Sequence, residues 1–303
     1  MNQSRRRKEI IAEMIRAQGY DELIRINTND MLESFGLGSV RRGRSLLAAA
    51  CYWPARRFAR TVLEFDRRVA CDGLHAAATW GLGQFAAKVE VVGIDRLSQQ
   101  GPLLLVANHP GITDTLAIFA SLPRRDLHTV AAARPFLQAL DNMTRRLIFV
   151  DESAGSHLGV VRSVTQQLRQ GGCVLTFPAG KIEPDPALLP GAAAALEGWS
   201  DSIGLFARLA PAAQIVPVLV SGVFSPAALH SPLVRLRRKQ AERERFAAML
   251  QVVAPRRYPV RVTVTVGQPL LASDLLARSS PAGVKQAVVA KMRVLLATSS
   301  YLI

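Results

Sequence analysis

From residue 86 onward the chain sets out seven short β-rich runs: AKVEVVG, PLLLVANH, LHTVAAA, RLIFVD, GCVLTFP, QIVPVLV and YPVRVTVTVG. Stretches with helical periodicity separate them, among them 135–144, 155–170 and 271–298. This alternation confines the fold to the α/β class, a mixed central sheet flanked by helices. The last run alternates Val260, Val262, Val264 and Val266 with Arg261, Thr263 and Thr265, the pattern of a strand with one face buried and one open to solvent. No internal repeat or low-complexity tract interrupts the order.

Residues 1–85 read differently. Ile10, Met14 and Ile15 recur at helical spacing, and Pro54 is expected to open a second long helix. In that segment Phe58, Val62, Phe65 and Val69 form one stripe, while Arg56, Arg60 and Arg67 lie about 200° round the helix. A basic amphipathic helix of this kind suits a lipid interface, with Trp53, Phe58 and Trp80 among its apolar anchors, and equally suits packing on a neighbouring domain. The expected organisation is a helical, membrane-surface region over 1–85, followed by an α/β domain over 86–303 with basic helical segments at its end.

The net charge is +15, from 38 Lys and Arg against 23 Asp and Glu. That excess calls for a polyanionic partner, nucleic acid or an acidic membrane surface. Its distribution is uneven: residues 1–85 carry 14 positive and 9 negative side chains, 86–234 carry 11 of each, and 235–303 carry 13 against 3. Basicity therefore belongs to the flanks. With 49% hydrophobic residues and mean hydropathy +0.17, the chain is not of the disordered class. Cys51, Cys71 and Cys173 form neither a disulfide framework nor a metal-ligand pattern, which suits a reducing cytoplasm. The basic start MNQSRRRKEIIAEMIR lacks the apolar core of an export signal, and the uncharged stretch from Leu209 to Val234 is interrupted by prolines, so a strand between loops is expected there.

The chemistry concentrates in PLLLVANHPGITDT, where an apolar strand ends in Asn108 and His109, turns through Pro110 and Gly111, and enters a helix near Asp114. A His on such a turn and an Asp in the following first turn can meet. The carboxylate would then bond Nδ1 and leave Nε2 to take a proton from an attacking hydroxyl. With 5 histidines and 23 acids, this spacing arises by chance about 0.4 times, so it does not stand alone. The other histidines, His75, His128, His157 and His230, have no acid five positions on and are read as packing or surface residues.

Three further blocks follow in order: RRLIFVD at 145–151, FPAGKIE at 177–183 and IVPVLVSG at 215–222. Together with NHPGITD they resemble the glycerolipid acyltransferase superfamily, typified by lysophosphatidate acyltransferases. Its four blocks read approximately N-H-x-x-x-x-D, G-x-I-F-I-D-R, F-P-E-G-T-R-S and V-P-V, and the resemblance covers about residues 86–270. It implies transfer of a fatty acyl group from acyl-CoA or acyl carrier protein to the hydroxyl of a lyso-glycerolipid, by default of the 1-acyl-glycerol-3-phosphate type, in membrane lipid synthesis. His109 would be the general base and Asp114 its orienting partner. Amides of the Pro110–Thr113 turn or near Gly180 would stabilise the oxyanion. Phe177, Pro178, Gly180, Lys181, Arg145 and Arg146 are the expected substrate-binding residues. The thioester supplies the driving force, so no metal or other cofactor is called for. The partners implied are the acyl donor, the lyso-lipid acceptor and an anionic membrane surface, with the protein peripheral or monotopic on its cytoplasmic face and no nucleic acid.

Departures from the family pattern bear on the acceptor. Glu152, Ala179 and Ile182 stand where the family has Arg, Glu and Arg. The resemblance associates those arginines with the acceptor phosphate, and a guanidinium fork is the group best shaped to bind one. Lys181, Arg145 and Arg146 are the candidate replacements. A non-phosphorylated lyso-lipid is the competing acceptor. Two other readings are a non-catalytic lipid-binding relative and a nucleic-acid-binding protein using RLRRKQAERER at 235–245. The latter lacks a stacking cluster and leaves His109 and Asp114 unexplained.

Overall fold

The computed structural model describes residues 19–150 and 156–299. Each expected β-rich run forms a strand: β1 Ala86–Val92, β2 Leu103–Ala107, β3 Leu127–Ala132, β4 Leu147–Val150, β5 Cys173–Thr176, β6 Gln214–Ser221 and β7 Val260–Val266. A two-residue β8, Leu270–Leu271, had no signal of its own. The sheet order is β1-β7-β6-β2-β5-β3-β4, with β8 also pairing β6. From β6 to β4 the strands run parallel, while β7 is antiparallel to β6 and parallel to β1.

Burial explains why the runs differ in sequence. In β2, Leu103, Leu104, Leu105, Val106 and Ala107 are all fully buried, because a central parallel strand is covered on both faces and reads as a continuous apolar run. Each of its larger side chains contributes about 1.5–3 kcal/mol of burial. In β7 the four valines are buried, Arg261 is exposed, and Thr263 and Thr265 are half-buried, as the alternation predicts.

Helices cover the two faces. On one side lie the helix described over 19–34, the helices Arg44–Cys71, Leu74–Leu82, Ile112–Ser121 and Gln240–Val253, and one continuous apolar core that they share with the sheet. On the other lie Ser156–Arg169, Ser202–Leu209, Ala272–Arg278 and Pro281–Ser299. Ser202–Leu209 and Gln240–Val253 were not among the segments with readable helical periodicity. The expected 271–298 helix is divided before Pro281, which starts the second piece as a first-turn residue.

Pro54 does not open its helix. The helix begins at Arg44, and Pro54 lies inside it. The local cost of a proline without an N–H is outweighed by tertiary packing of the stripe through Ala55, Ala59, Val62, Phe65 and Val69. That stripe serves protein packing: Phe58 stacks on Phe136 with centroids 5.8 Å apart, and Trp80 lies under the Arg68 guanidinium at 4.8 Å. Of the expected anchors only Trp53 is exposed, joined by Leu46 and Tyr52. Ile10, Met14 and Ile15 lie outside the described residues, as do Asp151 and Glu152. Among the described residues no helix is long and apolar enough to cross a membrane.

Candidate active site

The parallel strands β2, β5, β3 and β4 all point their carboxyl ends to one edge, which is where open α/β sheets place their ligand crevices. β2 is central, and the chain leaves it to return on both sides as β5 and β6. The turn after β2 therefore sits between the loops that follow β5 and β6. His109 is on that turn.

Asn108 fixes the turn against β6. Its Nδ2 donates to the Val220 carbonyl at 2.9 Å and its Oδ1 accepts from the Val220 amide at 2.7 Å, so the side chain continues the strand pairing after β2 ends. The next residue, His109, directs its ring to Asp114, with Nδ1 to Oδ2 at 2.7 Å. Asp114 is the third residue of the Ile112–Ser121 helix, and its carboxylate also accepts from Gly111 N at 3.0 Å and Thr115 Oγ1 at 2.9 Å, and from the Thr115 amide. A carboxylate in a helix's first turn satisfies leading amides and meets the positive end of the dipole. The same bonds hold the carboxylate still for the imidazole.

The His109 side chain is 28% exposed and Asp114 is fully buried. Burial, the largest influence, pulls the imidazole pKa down, but the Asp114 charge and hydrogen bond together with the Glu183 charge outweigh it and hold the pKa above its ordinary value. Because Nδ1 is bonded to a carboxylate, the proton resides there and Nε2 is the free acceptor. Among the described residues no group bonds Nε2. The Phe177 ring stands against the imidazole, centroids 4.5 Å apart and 30° from parallel. This arrangement can remove a proton from a hydroxyl placed at Nε2.

The third block supplies the opposite wall. Phe177 follows β5, Pro178 is buried with its carbonyl accepting from Ser200 N at 3.0 Å, and Gly180 turns the chain at φ +63°. The Gly180 amide bonds the Phe177 carbonyl at 3.1 Å and the Gly111 amide is held by Asp114, so neither is open to an oxyanion. The first turn of the Ile112–Ser121 helix leaves the Ile112 and Thr113 amides without intrahelical acceptors. Lys181 is exposed on the same loop.

Arg145 and Arg146 are not brought to this cluster. They precede β4, which runs parallel to its neighbours, so they lie at the opposite edge of the sheet; Arg146 Nη1 bonds the Arg125 carbonyl there at 2.7 Å. Their proximity in sequence to the second block misled, since even four strand residues span about 13 Å. Arg134, after β3, does reach the site edge and is exposed.

Two buried acids belong to the site and were not singled out from sequence. Glu183 bonds the backbone of His109 and the indole of Trp199. Asp185 accepts from Gly222 N at 2.8 Å and Phe224 N at 3.0 Å, which pins the loop after β6 to the third block. Only their place within and just after FPAGKIE marks them. Among the described residues no group of three or more His, Cys, Asp or Glu side chains is arranged to hold a metal ion.

Residues 88–221, which span β2 to β6 and both walls of this crevice, match the family described as Acyltransferase. This segment is an acyltransferase domain. The His109 and Asp114 pair thus lies within the matched segment of an acyltransferase. In shape the chain is similar to the 1-acyl-sn-glycerophosphate (LPA) acyltransferase PlsC from Thermotoga maritima, at 14% identity and TM-score 0.47, over 95% of this chain and 97% of that one. No curated protein matches the chain.

Proposed function

We propose that the enzyme moves a fatty acyl group from acyl-CoA or acyl carrier protein to the hydroxyl of a lyso-glycerolipid. The observation that carries this reading is the 2.7 Å bond between His109 Nδ1 and a fully buried Asp114 at the carboxyl end of the central strand. In this reading Nε2 removes the acceptor proton as its oxygen attacks the thioester carbonyl. The C–O bond forms to give a tetrahedral oxyanion, its collapse breaks the C–S bond, and the imidazolium gives its proton to the departing thiolate. Amides of the first helical turn, Ile112 and Thr113, stabilise the oxyanion.

The default acceptor is of the 1-acyl-glycerol-3-phosphate type. A non-phosphorylated lyso-lipid is favoured by a specific observation: Ile182 replaces the third-block arginine and is 51% exposed, while Arg145 and Arg146 lie at the other edge of the sheet. Lys181, a point charge, and Arg134, a guanidinium fork, are the basic side chains described at the site edge, and both are exposed. We place the enzyme on the cytoplasmic face of an anionic membrane. Leu46 and Trp53, 79% and 69% exposed, would insert while the exposed Arg41, Arg42, Arg44 and Arg57 face acidic headgroups. The rival nucleic-acid footprint is partly committed to the protein itself, since Arg237 bonds the Phe35 carbonyl and Arg243 bonds the Arg237 carbonyl at 2.8 Å.

The test is acceptor-dependent thiol release from acyl-CoA and acyl carrier protein, run on paired lyso-lipids with and without the phosphate. Release with lysophosphatidate alone supports the default acceptor. Release with the phosphate-free lipid alone supports the second reading, and release with no acceptor removes the acyltransfer proposal.

A further inference from the structure

The third block has lost its acid at Ala179, where the family block has Glu, and carries one at Glu183, where that block ends in Ser. We propose that Glu183 is a positioning residue for His109, locking the backbone of the base between the β2 and β5 loops and keeping a second buried carboxylate beside it. This rests on His109 acting as the base.

The lock is reciprocal. The His109 amide donates to Glu183 Oε2 at 2.9 Å, and the Glu183 amide donates to the His109 carbonyl at 2.8 Å. The other oxygen, Oε1, accepts from Trp199 Nε1 at 2.8 Å. Glu183 and Trp199 are 3% and 2% exposed, so none of these bonds is shared with bulk water. Two rigid turns are thereby joined through a side chain whose own position is set by an indole packed in the opposite core.

The hydrogen-bond set is that of a carboxylate, because each oxygen faces an N–H donor. Burial pushes the Glu183 carboxyl above its usual range, opposed by the Trp199 and His109 bonds and the nearby imidazole. A buried acid that served packing alone would be better replaced by an apolar or amide side chain. Among the described residues the charged groups around His109 are Asp114 on its own turn and Glu183 across the crevice, with exposed Lys181 on the Glu183 loop. Residues 214–225, comprising β6 and the loop after it, contribute no ionisable side chain. Among the described residues Glu183 is thus the one acid outside the His109 turn that favours the imidazolium formed during transfer, and it acts through His109 without a contact to the reacting atoms.

Glu183→Gln is the discriminating change. An amide has one acceptor oxygen, so either the His109 amide or the Trp199 indole would face an NH2 group. Turnover is measured against pH, and His109 is titrated by 15N NMR in the resting enzyme. The expected result is a plateau kcat lower by about tenfold with KM within about twofold. Both the acid limb of the rate profile and the His109 titration should move to lower pH. Trp199→Phe should move all three in the same direction by less. If Glu183→Gln fails to fold, Trp199→Phe carries the test. A folded variant with wild-type kcat and an unmoved His109 titration overturns the proposal. His109→Ala is run in parallel: retention of wild-type turnover there would remove the base assignment itself, a separate outcome from unaltered Glu183 variants beside an inactive His109→Ala.

Discussion

Replacing Asn108 by Ala removes the side chain that pairs the end of β2 with β6. The Val220 amide and carbonyl, bonded at 2.7 and 2.9 Å to Asn108, face away from β7 and would have no other partner in the buried strand. Leaving a buried polar group unsatisfied costs about 1–3 kcal/mol, so two such groups set the loss at about 2–6 kcal/mol. Asn108 is 4% exposed, yet it lies at the mouth of the crevice, where water can enter the vacated volume and recover part of this. The expected destabilisation is therefore about 2–4 kcal/mol. Equilibrium unfolding in urea measures it as a lower midpoint at unchanged slope. Asn108→Asp should be at least as harmful, because it sets an acceptor against the Val220 carbonyl and buries a charge. A loss below about 1 kcal/mol for both variants would refute the argument that these bonds are sealed from solvent.

Asp114→Asn keeps the shape but removes the charge that fixes the His109 tautomer, and should lower kcat by about 10²–10⁴ with a small change in KM, read from steady-state thiol release. The raised His109 pKa predicts an acid limb above the ordinary imidazole value of 6.5, because the base must be neutral; a limb at or below 6.5 would count against the raised pKa. For stability the sign is opposite. Protonated His109 contributes stability that is fully present below the unfolded value and is lost as pH rises through the raised folded value, which unfolding midpoints across that window would show. Trp53→Ala together with Leu46→Ala should weaken flotation with anionic vesicles, and binding to those vesicles should fall as salt is raised; equal binding to neutral vesicles would contradict the docking surface.

The strands were legible because their two burial patterns differ in kind. β2 is covered on both faces and reads LLLVA, whereas β7 is covered on one and alternates. His109 and Asp114 were legible because a short strand-to-helix turn fixes both ends of their spacing. Glu183 and Asp185 were not, since their partners are backbone amides at His109, Gly222 and Phe224, which have no sequence signature. Arg145 and Arg146 were misplaced for a related reason: adjacency to a motif fixes position along the chain, while strand direction decides which edge of the sheet a residue reaches. At Pro54 a local rule gave way to tertiary packing, because the helix earns its stability from its buried stripe and not from local propensity.

If His109 is the base for acyl transfer, acyl-lipid product formation must fall when His109→Ala is compared with wild type. Both proteins should be first shown to be folded by the same unfolding midpoint assay. With a saturating donor and an accepted lyso-lipid, the expected result is a loss of about 10²–10⁴ in kcat for a variant of near-native stability. Product formation at the wild-type rate by a folded His109→Ala enzyme would contradict the account.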